Sequence, residues 1–145
     1  MYRRLTVGLS MALGLTSCVD ISMGFDSGAP AMPDLAVVGF WYENAGDNYI
    51  FTVEIENQGE ASADSFAVDL YLDRSTEPRL VDQGDATEMV LQGVAVDDIV
   101  AVSFTVPSTS VCEKCSTWVF ADSNDQVEEL YEDNNTAGPS VILYR

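Results

Sequence analysis

The side chains able to do chemistry in this sequence are carboxylates and thiols. Asp and Glu number 24 against six Lys and Arg, His is absent, and Cys occurs three times, at positions 18, 112 and 115. Paired carboxylates are the equipment of glycoside hydrolysis, and clustered ones ligate Ca²⁺. Cys-x-x-Cys is the spacing of a short disulfide, of a redox couple or of half a zinc site. Without His the chain has no Ser-His-Asp or Cys-His nucleophile, no HExxH zinc site and no imidazole to move protons near neutral pH. No Gly-rich loop precedes Lys114, the one lysine. The negative balance also repels nucleic acid and anionic lipid surfaces, so no nucleic-acid partner is expected.

Acids gather at Asp82 and Asp85, at Asp97 and Asp98, and at Asp122, Asn124, Asp125 and Glu128. The series Asp122-x-Asn124-x-Gln126 starts as an EF-hand loop does, but the sixth position is Val127 instead of Gly and the twelfth is Asp133 instead of Glu. Solubility and self-repulsion account for the acidic surface, and no metal or other cofactor is expected. Were Ca²⁺ to bind, Asp122, Asn124 and Asp125 would be the ligands to look at. Nothing in the sequence selects one pair of carboxylates as acid and nucleophile, and a sandwich of about 110 residues leaves little room for a substrate cleft. No enzymatic activity is expected.

Cys112 and Cys115 form an even pair, expected as a disulfide closing a four-residue loop at a hairpin tip. Closing so short a loop contributes about 2 kcal/mol, enough to shape the tip but little toward the fold. A zinc site would need two more ligands. A thioredoxin-like couple would need a helix after the pair, where the β-type run Thr117 to Phe120 stands instead.

Residues 1–17 open with Met1-Tyr2-Arg3-Arg4 and continue as an apolar run from Leu5 to Leu15, the two parts of a secretion signal. The run is too short to cross a bilayer, which takes roughly 20 apolar residues. It ends Leu15-Thr16-Ser17-Cys18, which resembles the lipobox of bacterial lipoproteins. The resemblance implies cleavage before Cys18, lipidation of that residue and a membrane partner reached through the lipid; the alternative is an ordinary signal with an incidental thiol. Several acyl chains hold a protein far longer than one, at about 0.8 kcal/mol per buried CH₂. Val19 in place of Asp implies, by the same resemblance, the outer membrane of a Gram-negative envelope. From Cys18 on, the chain carries four basic and 24 acidic residues, a net of −20. Residues 18–32 show no helical or strand period and read as a tether, able to reach about 45 Å when extended.

From Pro33 to Arg145 the apolar residues follow a period of two. Tyr49, Phe51, Val53 and Ile55 alternate with Ile50, Thr52, Glu54 and Glu56; Phe66, Val68, Leu70 and Leu72 with Ala67, Asp69 and Tyr71. Val100, Val102, Phe104 and Val106 form a third row and Thr117 to Ala121 a fourth, while Leu35 to Trp41 opens the series and Val141 to Tyr144 closes it. Asn44-Ala45-Gly46-Asp47, Asn57-Gln58-Gly59, Gln83-Gly84-Asp85, Gly93 and Pro107 punctuate these runs. About seven short strands with such breakers predict an all-β fold, an immunoglobulin-like antiparallel two-sheet sandwich. Helix is limited to a turn near Gln126 to Tyr131, and Ser75 to Leu91 is open as to whether it adds a strand.

Pro33-Asp34-Leu35, Asn57-Gln58-Gly59, Asp69-Leu70-Tyr71-Leu72-Asp73 and the segment Asp122 to Asn135 (DSNDQVEELYEDNN) resemble the CARDB domain, a bacterial cell-adhesion-related immunoglobulin-like module. Its most specific part is Asp122 followed by Glu129-x-x-Glu132-x-Asn134-Asn135. The resemblance implies a fold signature and no catalytic residue. Physically, Asn57 suits a turn closed by its own side chain with Gly59 at positive φ, and Asn134 and Asn135 suit a tight left-handed reversal, with Val127 and Leu130 pinning the loop to the core. Two departures stand out, the long charged segment Ser75 to Leu91 and the Cys112 to Cys115 insertion.

The expected function is a non-catalytic, lipid-anchored envelope module that binds a protein or polysaccharide ligand in adhesion. The alternative is an accessory subunit scaffolding an envelope complex.

Overall fold

The computed structural model describes residues 30–141, so Cys18, the signal and most of the tether lie outside the described residues. Seven strands follow in order: β1 (Leu35–Ala45), β2 (Asn48–Asn57), β3 (Phe66–Tyr71), β4 (Ala86–Val90), β5 (Ile99–Pro107), β6 (Ser116–Ala121) and β7 (Thr136–Val141). They form two antiparallel sheets, β1-β2-β5 and β4-β3-β6-β7, the expected all-β sandwich.

The alternating rows fill the space between the sheets. Tyr49, Phe51, Val53 and Ile55 of β2 are fully buried while the residues between them are half-exposed, and Val102, Phe104 and Val106 of β5 complete that inner face. Phe66, Val68, Leu70 and Val119 answer from the other sheet. The β1–β2 hairpin closes through Gly46 and Asp47, with Gly46 at φ 75° and its N–H donated to Asn44 Oδ1 at 3.0 Å. Positive φ at the first central residue is what a primed two-residue turn requires, and glycine reaches it without steric cost.

Four expectations need correction. All six residues of β3 are buried, including Ala67, Asp69 and Tyr71, which the alternation assigns to water. The reason is the segment between β3 and β4, which folds back over the outer face. Tyr71 Oη donates to the carbonyl of Asp82 at 3.2 Å, Gly84 N donates to Asp69 Oδ2 at 3.3 Å, and Asp85 N donates to the Leu70 carbonyl at 2.8 Å. Arg74 clamps this cover, bonding Asp82 at 2.5 Å and lying 5.5 Å over the Tyr71 ring. The same segment ends in β4, so Ser75 to Leu91 does supply a strand.

Second, the closing strand begins at Thr136, before the expected Val141, and residues 142–145 lie outside the described residues. Third, among the described residues helix occurs only as the 3₁₀ turn Ser108–Ser110, not near Gln126 to Tyr131. Fourth, the Cys112–Cys115 disulfide does form, across a Cα separation of 5.3 Å. Its loop, however, carries the chain from β5 in one sheet to β6 in the other, so it sits in a crossover and not at a hairpin tip. Cys115 is buried and Cys112 exposed.

Candidate functional site

The residues singled out in the Asp122 to Asn135 segment converge on the start of β1. This segment is the long loop that joins β6 to its antiparallel neighbour β7, and its polar side chains bond the backbone where the chain enters the domain. Glu129 Oε2 accepts the Leu35 N–H at 3.4 Å, and Asn134 Nδ2 donates to Asp34 Oδ1 at 2.7 Å. Backbone bonds run parallel to these: Leu130 N to the Pro33 carbonyl at 2.9 Å, Val37 N to the Asn134 carbonyl at 3.1 Å, and Ala121 N to the Asn135 carbonyl at 2.8 Å.

Asp122 serves the loop itself. It takes φ 52°, and its two oxygens accept the N–H groups of Gln126 and Val127, both at 2.9 Å. The carboxylate thus replaces a turn of backbone bonding, with Val127 buried beneath it. The left-handed residues here are Asp122 and Asp125, not Asn134 and Asn135, and Leu130 is half-exposed instead of pinning the loop. Asn124 and Asp125 are exposed.

Asn57 holds the other side of the same entry. Its Oδ1 accepts the N–H groups of Asp34 and Gly59, both at 3.1 Å, and its Nδ2 donates to the carbonyls of Ala61 at 2.8 Å and Val94 at 3.0 Å. Gly59 does not adopt positive φ; it is required because Met32 and Asp34 pass so close that a Cβ would lie 2.4 Å from the Met32 carbonyl oxygen and 2.6 Å from the Asp34 nitrogen. Local sequence reveals the Asn57 turn but not its reach to Val94, and it gives no hint that Asp34, itself buried, accepts from a residue 100 positions away.

Electrostatically the cluster is an acid kept from water. Glu129 is 6% exposed, and burial, against the bonds from Asn135 and Leu35 N, pushes its carboxyl up to about 8; the negative charges of Glu132 and Asp122 push the same way. Burial also raises Glu132, whose Oε1 accepts the Glu129 N–H at 3.3 Å. Glu129 Oε1, Asn134 Oδ1, Asn135 Oδ1 and Ser123 Oγ are buried without a hydrogen-bond partner. Buried oxygens of this kind are ordinarily satisfied by a proton donor, an ordered water or a cation.

Outside this cluster, Asp73, Cys112 and Cys115 bring one carboxylate oxygen and two sulfurs within 4.8 Å of one another. With the sulfurs joined to each other, the group offers a metal only the carboxylate. No helix among the described residues is long and apolar enough to cross a membrane.

The sequence profile of the CARDB family matches residues 32–138. Two chains of solved structures match this chain significantly. One is the CARDB domain of a Pyrococcus furiosus protein, crystallised in complex with di-metal ions; it is 20% identical with a TM-score of 0.56, over 78% of this chain and 90% of that one. No protein of curated function matches significantly. The shared fold, and a profile match running from the tether's end through the β6–β7 loop stitched to β1, lead to one conclusion: the chain belongs to the CARDB family.

Proposed function

We propose that the protein is a non-catalytic binding module of the cell envelope, held at the outer membrane by lipid on Cys18 and acting in adhesion to a protein or polysaccharide ligand. The observation that carries this reading is the stitch at Asp34 and Leu35. A tethered adhesin is pulled through the residues where its linker enters the domain, and here those residues are tied to β2 by Asn57 and to the β6–β7 loop by Glu129 and Asn134. Family membership and the Leu15-Thr16-Ser17-Cys18 motif support the same reading. Labelled palmitate should enter the wild-type protein in a lipoprotein-processing host and not a Cys18→Ala variant, and cells displaying the wild type should be retained on matrix or polysaccharide coats. Equal labelling of both proteins removes the anchor; absence of retention on every coat removes adhesion.

A role for a hard divalent cation such as Ca²⁺ has one observation in its favour. Glu129 Oε1, Asn134 Oδ1 and Asn135 Oδ1 are oxygens of the type that Ca²⁺ takes, and they lack donors. Asp122 is less suited than its sequence suggests, since both its oxygens serve backbone N–H groups. Calorimetry at millimolar Ca²⁺ decides the point: heat together with a raised melting temperature supports the site, and neither disposes of it.

A further inference from the structure

The two sheets leave four edge strands, and the two sides of the sandwich treat them differently. On one side the Val37 to Asn134 bond ties β1 to the loop that leads into β7, and the ladders of both strands carry register shifts, at Val37/Gly39 and opposite Gly138-Pro139. Bulges, glycine and proline blunt an edge against further pairing. On the other side β4 and β5 lie close together but belong to different sheets, and each runs in unbroken register with its inner neighbour. Between them opens a groove of about 530 Å³.

The groove carries apolar and acidic side chains together. Met89, Leu91 and Ile99 are exposed along it. Glu88 pairs in register with Val68, a core residue, so it occupies the core-facing row of β4, yet it is exposed at the mouth of the gap. Asp98 lines the same groove, and no Lys or Arg does. The described cations lie elsewhere: Arg74 on Asp82, Arg79 beside that same residue, Lys114 in the disulfide loop.

We propose that this groove is a β-augmentation site for an extended segment of a protein partner in which apolar and basic residues alternate. The incoming backbone pairs with the free edge of β5, its apolar side chains fall in the row of Ile99 on the outer face of that sheet, and its Lys or Arg side chains, on the opposite face, meet Glu88 and Asp98. Backbone pairing supplies affinity, and the alternating side chains supply selectivity. The inference rests on the reading of the protein as a binding module and names the chemistry of its ligand.

The probe is a blocked octapeptide of alternating Val and Lys, titrated into ¹⁵N-labelled protein at about 0.15 M salt, where long-range attraction to the acidic surface is screened. Saturable shifts are expected on the amides of β4 and β5. Affinity should fall about tenfold in Glu88→Lys/Asp98→Lys, whose sites are exposed and whose spectrum reports folding directly, and about tenfold for an alternating Gly and Lys peptide of equal charge. Equal binding of the Gly peptide, shifts scattered over acids elsewhere, or no saturable shift in the millimolar range overturns the proposal. Broadening of β4 and β5 that grows with protein concentration alone overturns it too, by assigning the groove to a second copy. Peptide failure with retention on coats intact removes the groove and leaves the module; peptide binding without retention removes adhesion and leaves the groove.

Discussion

Replacing Glu129 by Gln isolates the electrostatic cost of the cluster. In the unfolded chain this carboxyl titrates near 4.5, and in the folded domain burial lifts it to about 8. Between those values the folded state keeps a proton that the unfolded state has released, so stability is full below about pH 4.5 and declines as pH rises toward 8. A shift of this size, at about 1.4 kcal/mol per unit, removes about 3 kcal/mol between pH 5 and pH 8, an upper figure because water reaching the site relaxes the burial term. Glu129→Gln cannot ionise, and its amide oxygen can still accept the Leu35 N–H. Urea unfolding with the disulfide oxidised and a chelator present should show the wild type losing stability across this range. The variant should lose markedly less and overtake it at alkaline pH. Burial raises Glu132 as well, so some slope remains in the variant. Parallel pH profiles for the two proteins would refute the argument that Glu129 is held from water.

Three further perturbations follow from the same geometry. Asn57→Ala strips partners from two N–H groups and two carbonyls at once and should cost about 3 to 5 kcal/mol in chemical denaturation, well beyond an ordinary surface change. Gly59→Ala forces its Cβ against the Met32 and Asp34 backbone and should lower the melting temperature by about 10 °C or more, an effect that Gly46→Ala, in open space, reproduces only through its positive φ. Cys112→Ser/Cys115→Ser should lose only about 2 kcal/mol and keep the native amide spectrum outside the crossover loop; global unfolding would mean that the short loop holds the fold.

The sandwich was legible because its evidence is local. The period-two rows of β2 and β5 put apolar side chains on one face of strands ten and nine residues long, and only burial of that face makes such a row useful. What stayed hidden is non-local. Ala67, Asp69 and Tyr71 look like a solvated face because the covering segment is polar and its contacts lie 11 to 15 residues downstream, beyond the reach of a local pattern. In the candidate site, Asp122 to Asn135 stands out through family likeness, but a row of acids and amides looks the same whether it faces water or a backbone. Burial of Glu129 and Asn135 is decided by the approach of β1 from the other end of the chain.

Amide hydrogen exchange at Leu35 tests the stitch between the domain entrance and the β6–β7 loop most directly. This N–H, which donates to Glu129 Oε2, should exchange in the wild type at close to the global unfolding free energy and far more readily in Glu129→Ala, while amides at the centre of β2 follow only the change in global stability. A Leu35 amide that exchanges as fast as a loop in the wild type, or that is indifferent to Glu129, would contradict it.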